Sequence, residues 1–410
     1  MARNVTVDRI KIKQFGCVKD VDLKLSPIHA FIGPNDSGKS TILRAIRTGM
    51  QLLTSNFSGG FPETKASNEC RPFHPGIYEN AEIEMALDTG LKYNVNISRN
   101  EIVTERLLLL NGAIVENKRT LFQLPSKITI FGEYHQSITK EKLHKADIPE
   151  DFGPNHKGWD APSLRKKFDQ FLNDLRKKNN ANPSLFKQKP HMVRLDPDSL
   201  RIPGNLIPST QQIEMDEKGI GLASIYDVLM NKNVDHFISI REQFKKLFPT
   251  VSTIGLKNIN INEGKNVSKI LELELKTGQR ISAQFMSEGM LYYLAFAALK
   301  YLEPASIILV EEPENGLHPS RIKDIMIILR EISETTQILI ATHSPLVINE
   351  LKEDEVSVVW RDDEKGTMVM PIRETKNFAE RSKVYALGEL WLSYANGVDE
   401  KPLREGVKEK

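Results

Sequence analysis

The chain has 410 residues, of which 40% are hydrophobic and 27% are charged, a composition typical of a globular protein rather than a disordered one. Its 56 basic and 54 acidic residues give a net charge of +2, so the overall charge gives no reason to expect a nucleic-acid partner. Apolar runs such as 291–299 are too short to span a bilayer, the start lacks the apolar stretch of a signal peptide, and two cysteines, Cys17 and Cys70, are too few for a disulfide framework. We therefore expect a cytoplasmic protein without a membrane partner.

The first 135 residues show mostly strand patterns around one helix. Apolar residues alternate with polar ones in several segments, and one short apolar run stops at Gly33, as a buried strand does before a tight turn. The helix is predicted from about Lys39 to Leu53, and a loop rich in glycine, proline, serine and asparagine follows over 54–75. The predicted strands are 5–15, 21–25, 28–32, 82–87, 92–97, 102–109 and 128–131.

The middle of the chain, 136–250, is predicted to be an inserted, mainly helical lobe, because proline-rich segments flank an amphipathic helix over 162–178. Between residues 157 and 189, nine Lys or Arg and three Asp give a local net charge of +6. Two interpretations of this basic segment stay open. It is either a solvated helix face or a surface that binds nucleic acid.

The rest of the chain returns to strands that alternate with helices, which is typical of a mainly parallel α/β sheet. We predict two halves of one α/β domain at 1–135 and 251–350, the lobe at 136–250, and closing strands with a C-terminal tail at 351–410. In the second half, the predicted strands are 252–261, 270–275, 306–310 and 337–341, and the predicted helices are 287–302 and 322–329.

The strongest motif is Gly33–Ser40, GPNDSGKS, which fits the phosphate-binding pattern G-x-x-x-x-G-K-[ST] between a strand and a helix. Glycines let backbone N–H groups curl around phosphate oxygens, and the start of the helix adds the positive end of its dipole. In this pattern Lys39 supplies positive charge to the β- and γ-phosphates, and the Ser40 hydroxyl ligates Mg²⁺. The sequence therefore predicts that the chain binds ATP and Mg²⁺.

Polar residues suited to the same site follow two other apolar strands. After the strand 306–310, Glu311 is predicted to hold Mg²⁺ through water, and Glu312 to orient and polarise the attacking water. His343 follows the next strand, at a position from which it reaches a γ-phosphate as a donor. Ser287 is a predicted N-cap, and two interpretations of it stay open: the helix start binds an anion, or the serine only caps a core helix.

Taken in this order, the motifs resemble those of ABC-type ATPases, and within them the RecF/SMC/OLD-like branch. Gly33–Ser40 resembles Walker A, 310–312 resembles Walker B with its catalytic glutamate, 286–290 resembles the signature loop, and His343 resembles the switch histidine. The stretch 312–319, EPENGLHP, is similar to the E-P-E-x-x-L-H-P segment of OLD-like ATPases.

This resemblance, which covers about 1–135 and 206–350, implies an α/β, ABC-type P-loop ATPase fold with a mixed sheet and an inserted, mainly helical lobe. Walker A and Walker B are expected on adjacent strand edges. The expected catalytic residues are Glu312 and His343, and the expected metal-binding residues are Ser40, Glu311 and Gln136, the last as the Q-loop residue. The expected nucleotide-binding residues are Asn35, Asp36, Ser37, Gly38, Lys39, Ser40, Thr41, Ser287 and Gly289.

Two functions from different classes stay open. The first is an ATP-hydrolysing switch subunit that forms an ATP-bridged homodimer or higher oligomer and controls a separate nuclease or toxin, like the ATPase partners in anti-phage systems such as Septu and PARIS. A separate effector is expected because residues 344–410 are too few for the nuclease domain of OLD nucleases. The alternative is a RecF- or SMC-like DNA-repair ATPase that clamps DNA, with the basic segment 157–189 as its contact. Glu288 and Met290 stand where transporter ATPases have Gly and Gln, which disfavours transport.

Overall fold

The computed structural model describes residues 5–58, 80–98, 102–108, 114–120, 188–205, 215–261, 266–302, 304–375 and 378–395. The strands are β1 (Val7–Phe15), β2 (Val18–Lys24), β3 (Ile28–Ile32), β4 (Asn80–Leu87), β5 (Lys92–Ser98), β6 (Ile102–Leu108), β7 (Ile114–Thr120), β8 (His191–Val193), β9 (Gly204–Asn205), β10 (Val251–Ile261), β11 (Asn266–Leu275), β12 (Arg280–Ser282), β13 (Ile308–Glu311), β14 (Ile338–Thr342), β15 (Val356–Asp362) and β16 (Gly366–Pro371). The helices are α1 (Lys39–Ser58), α2 (Pro197–Leu200), α3 (Leu222–Lys232), α4 (Val234–Leu247), α5 (Glu288–Leu299), α6 (Pro319–Ser333), α7 (Pro345–Asn349), α8 (Phe378–Arg381) and α9 (Leu387–Ala395).

A large mixed sheet runs through the described part of the chain in the order β7-β6-β5-β4-β1-β2-β16-β15-β3-β14-β13-β8. Pairs within the run β15-β3-β14-β13-β8 are parallel, and the pairs from β7 to β15 are antiparallel. The predicted mixed sheet is confirmed, whereas the expectation of a mainly parallel sheet is wrong. Short turns join β1 to β2, β4 to β5 and β15 to β16, and such turns permit only antiparallel pairing.

The strands β3, β14 and β13 are buried along their whole length because helices cover both faces of the sheet there. On one face, Phe31, Leu309 and Leu339 belong to a core that includes the apolar side of α1. On the other face, alternate residues such as Ile308 and Ile340 pack into a second core with α3, α5 and α6. A strand buried on both faces carries apolar residues throughout, and its polar residues are confined to the ends.

The range predicted as the inserted lobe contributes to this sheet. Within it, β8 pairs in parallel with β13 at one edge of the sheet, and α3 and α4 contribute apolar residues to the second core. A smaller sheet, β10-β11-β12 with β9 paired to β11, follows these helices. The basic residues of 157–187, the predicted helix 162–178 and the predicted strand 128–131 lie outside the described residues. None of the described helices combines the length and the apolar character that a membrane span requires.

Gln337 ties three distant parts of the fold together at the start of β14. Its side-chain Nε2 donates to the carbonyl oxygens of Val7 (2.9 Å) and Ser26 (3.0 Å), and its Oε1 accepts from the N–H of Val7 (2.9 Å). The side chain is buried, so no solvent replaces these bonds. The amide therefore joins β1 and the β2–β3 turn to β14, which precedes the predicted switch histidine.

We expect Gln337→Ala to destabilise the fold by about 2–4 kcal/mol, because it leaves backbone groups of Val7 and Ser26 buried without partners. Gln279→Ala is the matched control, since the Gln279 side chain is exposed and its loss is expected to change stability by less than about 0.5 kcal/mol. Urea unfolding followed by circular dichroism measures both. Equal stability of the two variants would contradict the role given to Gln337.

Candidate functional site

The loop between β3 and α1 has the geometry of an anion-binding cradle. Lys39 is the first residue of α1, and its Nζ donates to the carbonyl oxygens of Gly33 (2.9 Å) and Pro34 (2.8 Å) across the loop. Gly38 has φ +104° and Asp36 has φ +63°, so the backbone here turns through the left-handed region. The Ser37 hydroxyl is buried and has no hydrogen-bond partner within the described residues. A buried donor without a partner fits a loop that receives phosphate oxygens.

The Lys39 ammonium lies in a concentration of negative charge. Burial lowers the pKa of Lys39, and the charges of Glu312, Glu314 and Glu311 oppose that shift. These three carboxylates belong to the end of β13 and the loop after it, whereas Lys39 follows β3. The sheet therefore brings residues that are about 270 positions apart in sequence into one electrostatic cluster.

Glu311 ends β13 with a buried side chain that has only 5% exposure. Its Oε2 lies 3.5 Å from Nε of Arg194, the residue that follows β8, and its Oε1 is buried without a hydrogen-bond partner in the described part of the chain. An ionised carboxylate with one unpaired oxygen is costly to bury. Glu311 is therefore suited to bind a cation, and Arg194 supplies part of that positive charge here.

Glu312 is held in an unusual backbone conformation with φ +49°. Its N–H donates to the Ala341 carbonyl oxygen (2.8 Å), which fixes it against β14. Asn315 Nδ2 donates to Glu312 Oε2 (2.7 Å), and His343 Nδ1 lies 3.7 Å from Glu312 Oε1. A non-glycine residue with positive φ is sterically strained, and such strain is common where a side chain must point into a site.

Glu314 bonds to the segment that carries the predicted switch histidine. The Thr342 hydroxyl donates to Glu314 Oε1 (2.6 Å), and the backbone N–H of His343 donates to the same oxygen (3.2 Å). His343 Nδ1 lies 3.5 Å from this oxygen. The loops after β13 and β14 are thereby joined through one buried carboxylate.

The strand order corrects one expectation about this edge of the sheet. Walker A and Walker B were expected on adjacent strand edges, but β14 pairs with both β3 and β13 and lies between them. The physical reason is that each parallel strand needs a crossover helix, and the crossover through α6 returns β14 to the gap between β3 and β13. His343 therefore occupies the centre of the edge, between Lys39 and Glu311.

The predicted signature loop begins α5 on the exposed surface. Ser287 is the N-cap, and its Oγ accepts from the Met290 N–H (3.4 Å). Ser287 and Glu288 are exposed. A methyl group built on Gly289 would lie 3.3 Å from the carbonyl oxygen of Gly316, so the helix start touches the loop that follows Glu312.

Comparison with known proteins agrees with the geometry. A family profile described as "AAA domain, putative AbiEii toxin, Type IV TA system" matches residues 28–349, most of the chain. The chain belongs to this AAA domain family. The prediction is thereby confirmed at the level of an AAA domain of the ATPase class.

Individual relatives of this AAA domain protein are matched over shorter stretches. The chain is 55% identical to an OLD nuclease of Thermus scotoductus over 38 residues, 9% of this chain and 7% of the nuclease. It is 27% identical to an uncharacterized protein of Methanocaldococcus jannaschii over 146 residues, 32% of this chain and 36% of that protein. The chain thus spans little more than a third of the length of these curated relatives at most. A solved SMC head bound to the C-winged helix domain of ScpA is similar with a TM-score of 0.46 at 16% identity, over 89% of this chain and 96% of that one.

The AAA domain site contains residues that sequence reasoning did not assign. Arg194 and Glu314 contact predicted site residues directly, as do Asn315 and Thr342. Glu314 lies inside the EPENGLHP stretch, so the motif itself was the available signal for it, whereas nothing in the sequence pointed to Arg194. Gln136 lies outside the described residues, and its role as a metal ligand stays a prediction.

The remaining predicted nucleotide-binding residues lie on the Walker A loop or the start of α1. Asn35 is exposed, Ser40 is half-buried in the first turn, and the Thr41 hydroxyl accepts from Cys17 Sγ (3.3 Å). Asp36 Oδ2 lies 3.5 Å from Arg361 Nη1, an ion pair on the surface of the loop. Their contacts with nucleotide, like that of Gly289, stay predictions.

Gly38→Ala is expected to disrupt the loop. The new methyl group would lie 2.2 Å from Thr367 Oγ1. The alanine backbone would also have to adopt φ +104°, which is unfavourable for any residue with a side chain. Gly278 provides a matched control, because it has φ +83° and nothing lies within 4 Å of a methyl group there. We expect Gly278→Ala to cost about 1–2 kcal/mol of stability from backbone strain alone and Gly38→Ala to cost about 2 kcal/mol more. Thermal and urea unfolding measure the difference, and equal losses would contradict the steric account.

Proposed function

We propose that this protein binds and hydrolyses ATP as a switch subunit in bacterial anti-phage defence, where it controls a separate effector protein from within the cytoplasm. The observation that carries the ATPase part is the convergence of Lys39, Glu312 and His343 at one edge of the sheet, at the ends of β3, β13 and β14. A cation for phosphates, a carboxylate for water and a donor for the γ-phosphate are the groups that phosphoryl transfer requires.

Nucleotide binding begins with Lys39. Its ammonium bonds to carbonyl oxygens of its own loop, and in the nucleotide-bound protein it turns to the β- and γ-phosphates. Backbone N–H groups of the loop and the start of α1 bind the remaining phosphate oxygens. The Ser37 hydroxyl in this loop is buried and has no hydrogen-bond partner among the described residues, so it is a further candidate donor to the same ligand.

The donor set also fits Mg²⁺. Ser40 supplies a hydroxyl next to the phosphates, and Glu311 supplies a buried carboxylate oxygen without a partner among the described residues. Ser40 and Glu311 would hold the ion, which would supply positive charge to offset the negative charge of the phosphates. Arg194 lies 3.5 Å from the other oxygen of Glu311, Oε2, so the hydrogen-bonding capacity of Oε1 is unused among the described residues.

Glu312 is the group suited to orient the attacking water. Its side chain is about two-fifths exposed, so its carboxylate reaches solvent, while Asn315 fixes one oxygen at 2.7 Å. The fixed carboxylate accepts a proton from water as the water approaches the γ-phosphate. His343 lies close enough to Glu312 to contact the same phosphate group.

The proposed active form is an ATP-bridged homodimer or higher oligomer. Ser287 and the exposed start of α5 supply N–H groups and the positive end of a helix dipole. A γ-phosphate bound to a second copy of the chain would meet this helix start, so that hydrolysis weakens the interface. The family description names a putative toxin of a type IV toxin–antitoxin system, and this description is the reason for placing the protein in defence. Control of a separate effector is our own proposal.

The first test of this function uses two substitutions in the site. Lys39→Ala is expected to weaken binding of a fluorescent ATP analogue more than tenfold, because the phosphate charge loses its counter-ion. Glu312→Gln is expected to keep binding but to lower kcat by about 10²–10⁴-fold, because an amide does not accept the proton from water. Glu353→Gln, at an exposed glutamate, is the control. Equal nucleotide binding by Lys39→Ala and wild type would reject the assignment.

The second test asks whether each site is built from two chains. Ser287→Arg and Lys39→Ala are each expected to be inactive, but a mixed dimer contains one intact site made from the Walker A loop of one and the signature loop of the other. An equimolar mixture is therefore expected to recover roughly a quarter of wild-type activity. Gln279→Arg, which adds the same charge at an exposed position outside the predicted signature loop, is the control and is expected to keep full activity. Unimpaired hydrolysis by monomeric Ser287→Arg would reject the two-chain site.

A further inference from the structure

We propose that Glu314 is a positioning residue that fixes His343 for the γ-phosphate. The proposal rests on the proposed ATPase function and adds a residue to its machinery. Glu314 is neither the metal carboxylate nor the water-orienting carboxylate of this site, since Glu311 and Glu312 fill those positions. Its side chain instead reaches from the loop after β13 to the end of β14.

The contacts of Glu314 concentrate on one short segment. Oε1 accepts from the Thr342 hydroxyl (2.6 Å) and from the His343 N–H (3.2 Å). The Thr342 hydroxyl in turn accepts from the Ser344 N–H (2.9 Å). One carboxylate oxygen thereby fixes the backbone on which the His343 ring is mounted.

The same oxygen also faces the ring. His343 Nδ1 lies 3.5 Å from Glu314 Oε1, which is longer than a strong hydrogen bond. Contacts of this kind in nucleotide-free sites shorten when the ligand arrives. With Nδ1 directed toward Glu314 and Glu312, the other ring nitrogen, Nε2, is the one left for the nucleotide.

The burial of Glu314 argues against a purely structural carboxylate. The side chain is only 8% exposed, and its second oxygen, Oε2, is buried with no hydrogen-bond partner among the described residues. Within that part of the chain, no lysine or arginine lies within 4.0 Å of it, and its ion-pair partner is His343. A buried carboxylate oxygen without a hydrogen-bond partner is costly to the fold, and an unsatisfied group of this kind is a candidate for a functional role. In Arg330–Glu355, by contrast, a buried carboxylate is fully paired at 2.8 and 2.9 Å.

The experiment separates positioning from folding by comparing binding with turnover. In Glu314→Ala, binding of a fluorescent ATP analogue is expected to change less than threefold, because Lys39 and its loop are intact. kcat is expected to fall at least tenfold, because His343 loses its fixed orientation. Glu314→Gln, which keeps an acceptor oxygen for Thr342 and His343 N–H, is expected to lie between Glu314→Ala and wild type.

A double variant tests whether Glu314 acts through His343. The kcat of Glu314→Ala/His343→Ala is expected to match that of His343→Ala within twofold, since Glu314 has nothing left to position. Glu355→Ala serves as the control for general destabilisation and is expected to lower the Tm without this kcat pattern.

Three outcomes would overturn the proposal. The first is a kcat loss in the double variant that equals the product of the two single losses. The second is wild-type kcat in Glu314→Ala. The third is a loss of analogue binding in both Glu314→Ala and Glu314→Gln that matches the loss of turnover. Absence of turnover in the wild-type protein itself would instead reject the ATPase function on which the proposal rests.

Discussion

The site depends on one constraint: three parallel strands, β3, β14 and β13, are buried on both faces and end at the same edge of the sheet. Inside such strands a charged residue would have neither water nor a partner, so the chain places its polar chemistry where the strands stop. Parallel pairing then brings the ends of these strands together, whatever their separation in sequence. The covered sheet thus fixes the positions of the Lys39, Glu311 and His343 backbones before any ligand is present.

Negative charge exceeds positive charge at this edge of the sheet, and this excess affects which ligand is favoured. Three carboxylates, Glu311, Glu312 and Glu314, surround Lys39, and Arg194 adds a second positive charge beside Glu311. With all five groups ionised, the cluster carries a net charge of −1, which is three negative charges against two positive ones. An anionic nucleotide alone adds to that excess. A nucleotide accompanied by a divalent cation offsets it, so the charge of the cluster favours the metal complex over the free anion.

The local sequence pattern was sufficient to predict the strands that lead to the site residues. The range 28–32 predicted for β3 equals the observed strand, and the predicted positions of the strands before Glu311 and His343 are correct within two residues. Strand order was not predictable in this way, because β14 pairs with β13 at a separation of 30 residues and also with β3 at a separation of 310 residues. Arg194 follows a strand of three residues, too short for any periodic pattern, and the contact of Glu314 with Thr342 spans 28 positions. Such contacts are set by the folded sheet rather than by local sequence.

The loop after β13 connects Glu312 with the start of helix α5. Glu312 begins this loop, and Gly316, at φ +67°, carries it against α5, where a side chain would collide with the ring of Tyr292. The helix start at Gly289 lies against the Gly316 carbonyl oxygen. In the proposed dimer, Glu312 serves the chain's own nucleotide whereas Ser287, two residues before Gly289, serves the partner's. A shift of Glu312 on hydrolysis would act on Gly316, whose carbonyl oxygen lies against the helix start that faces the other nucleotide. The contact between Gly316 and Gly289 would then link the two ATP sites of the proposed dimer.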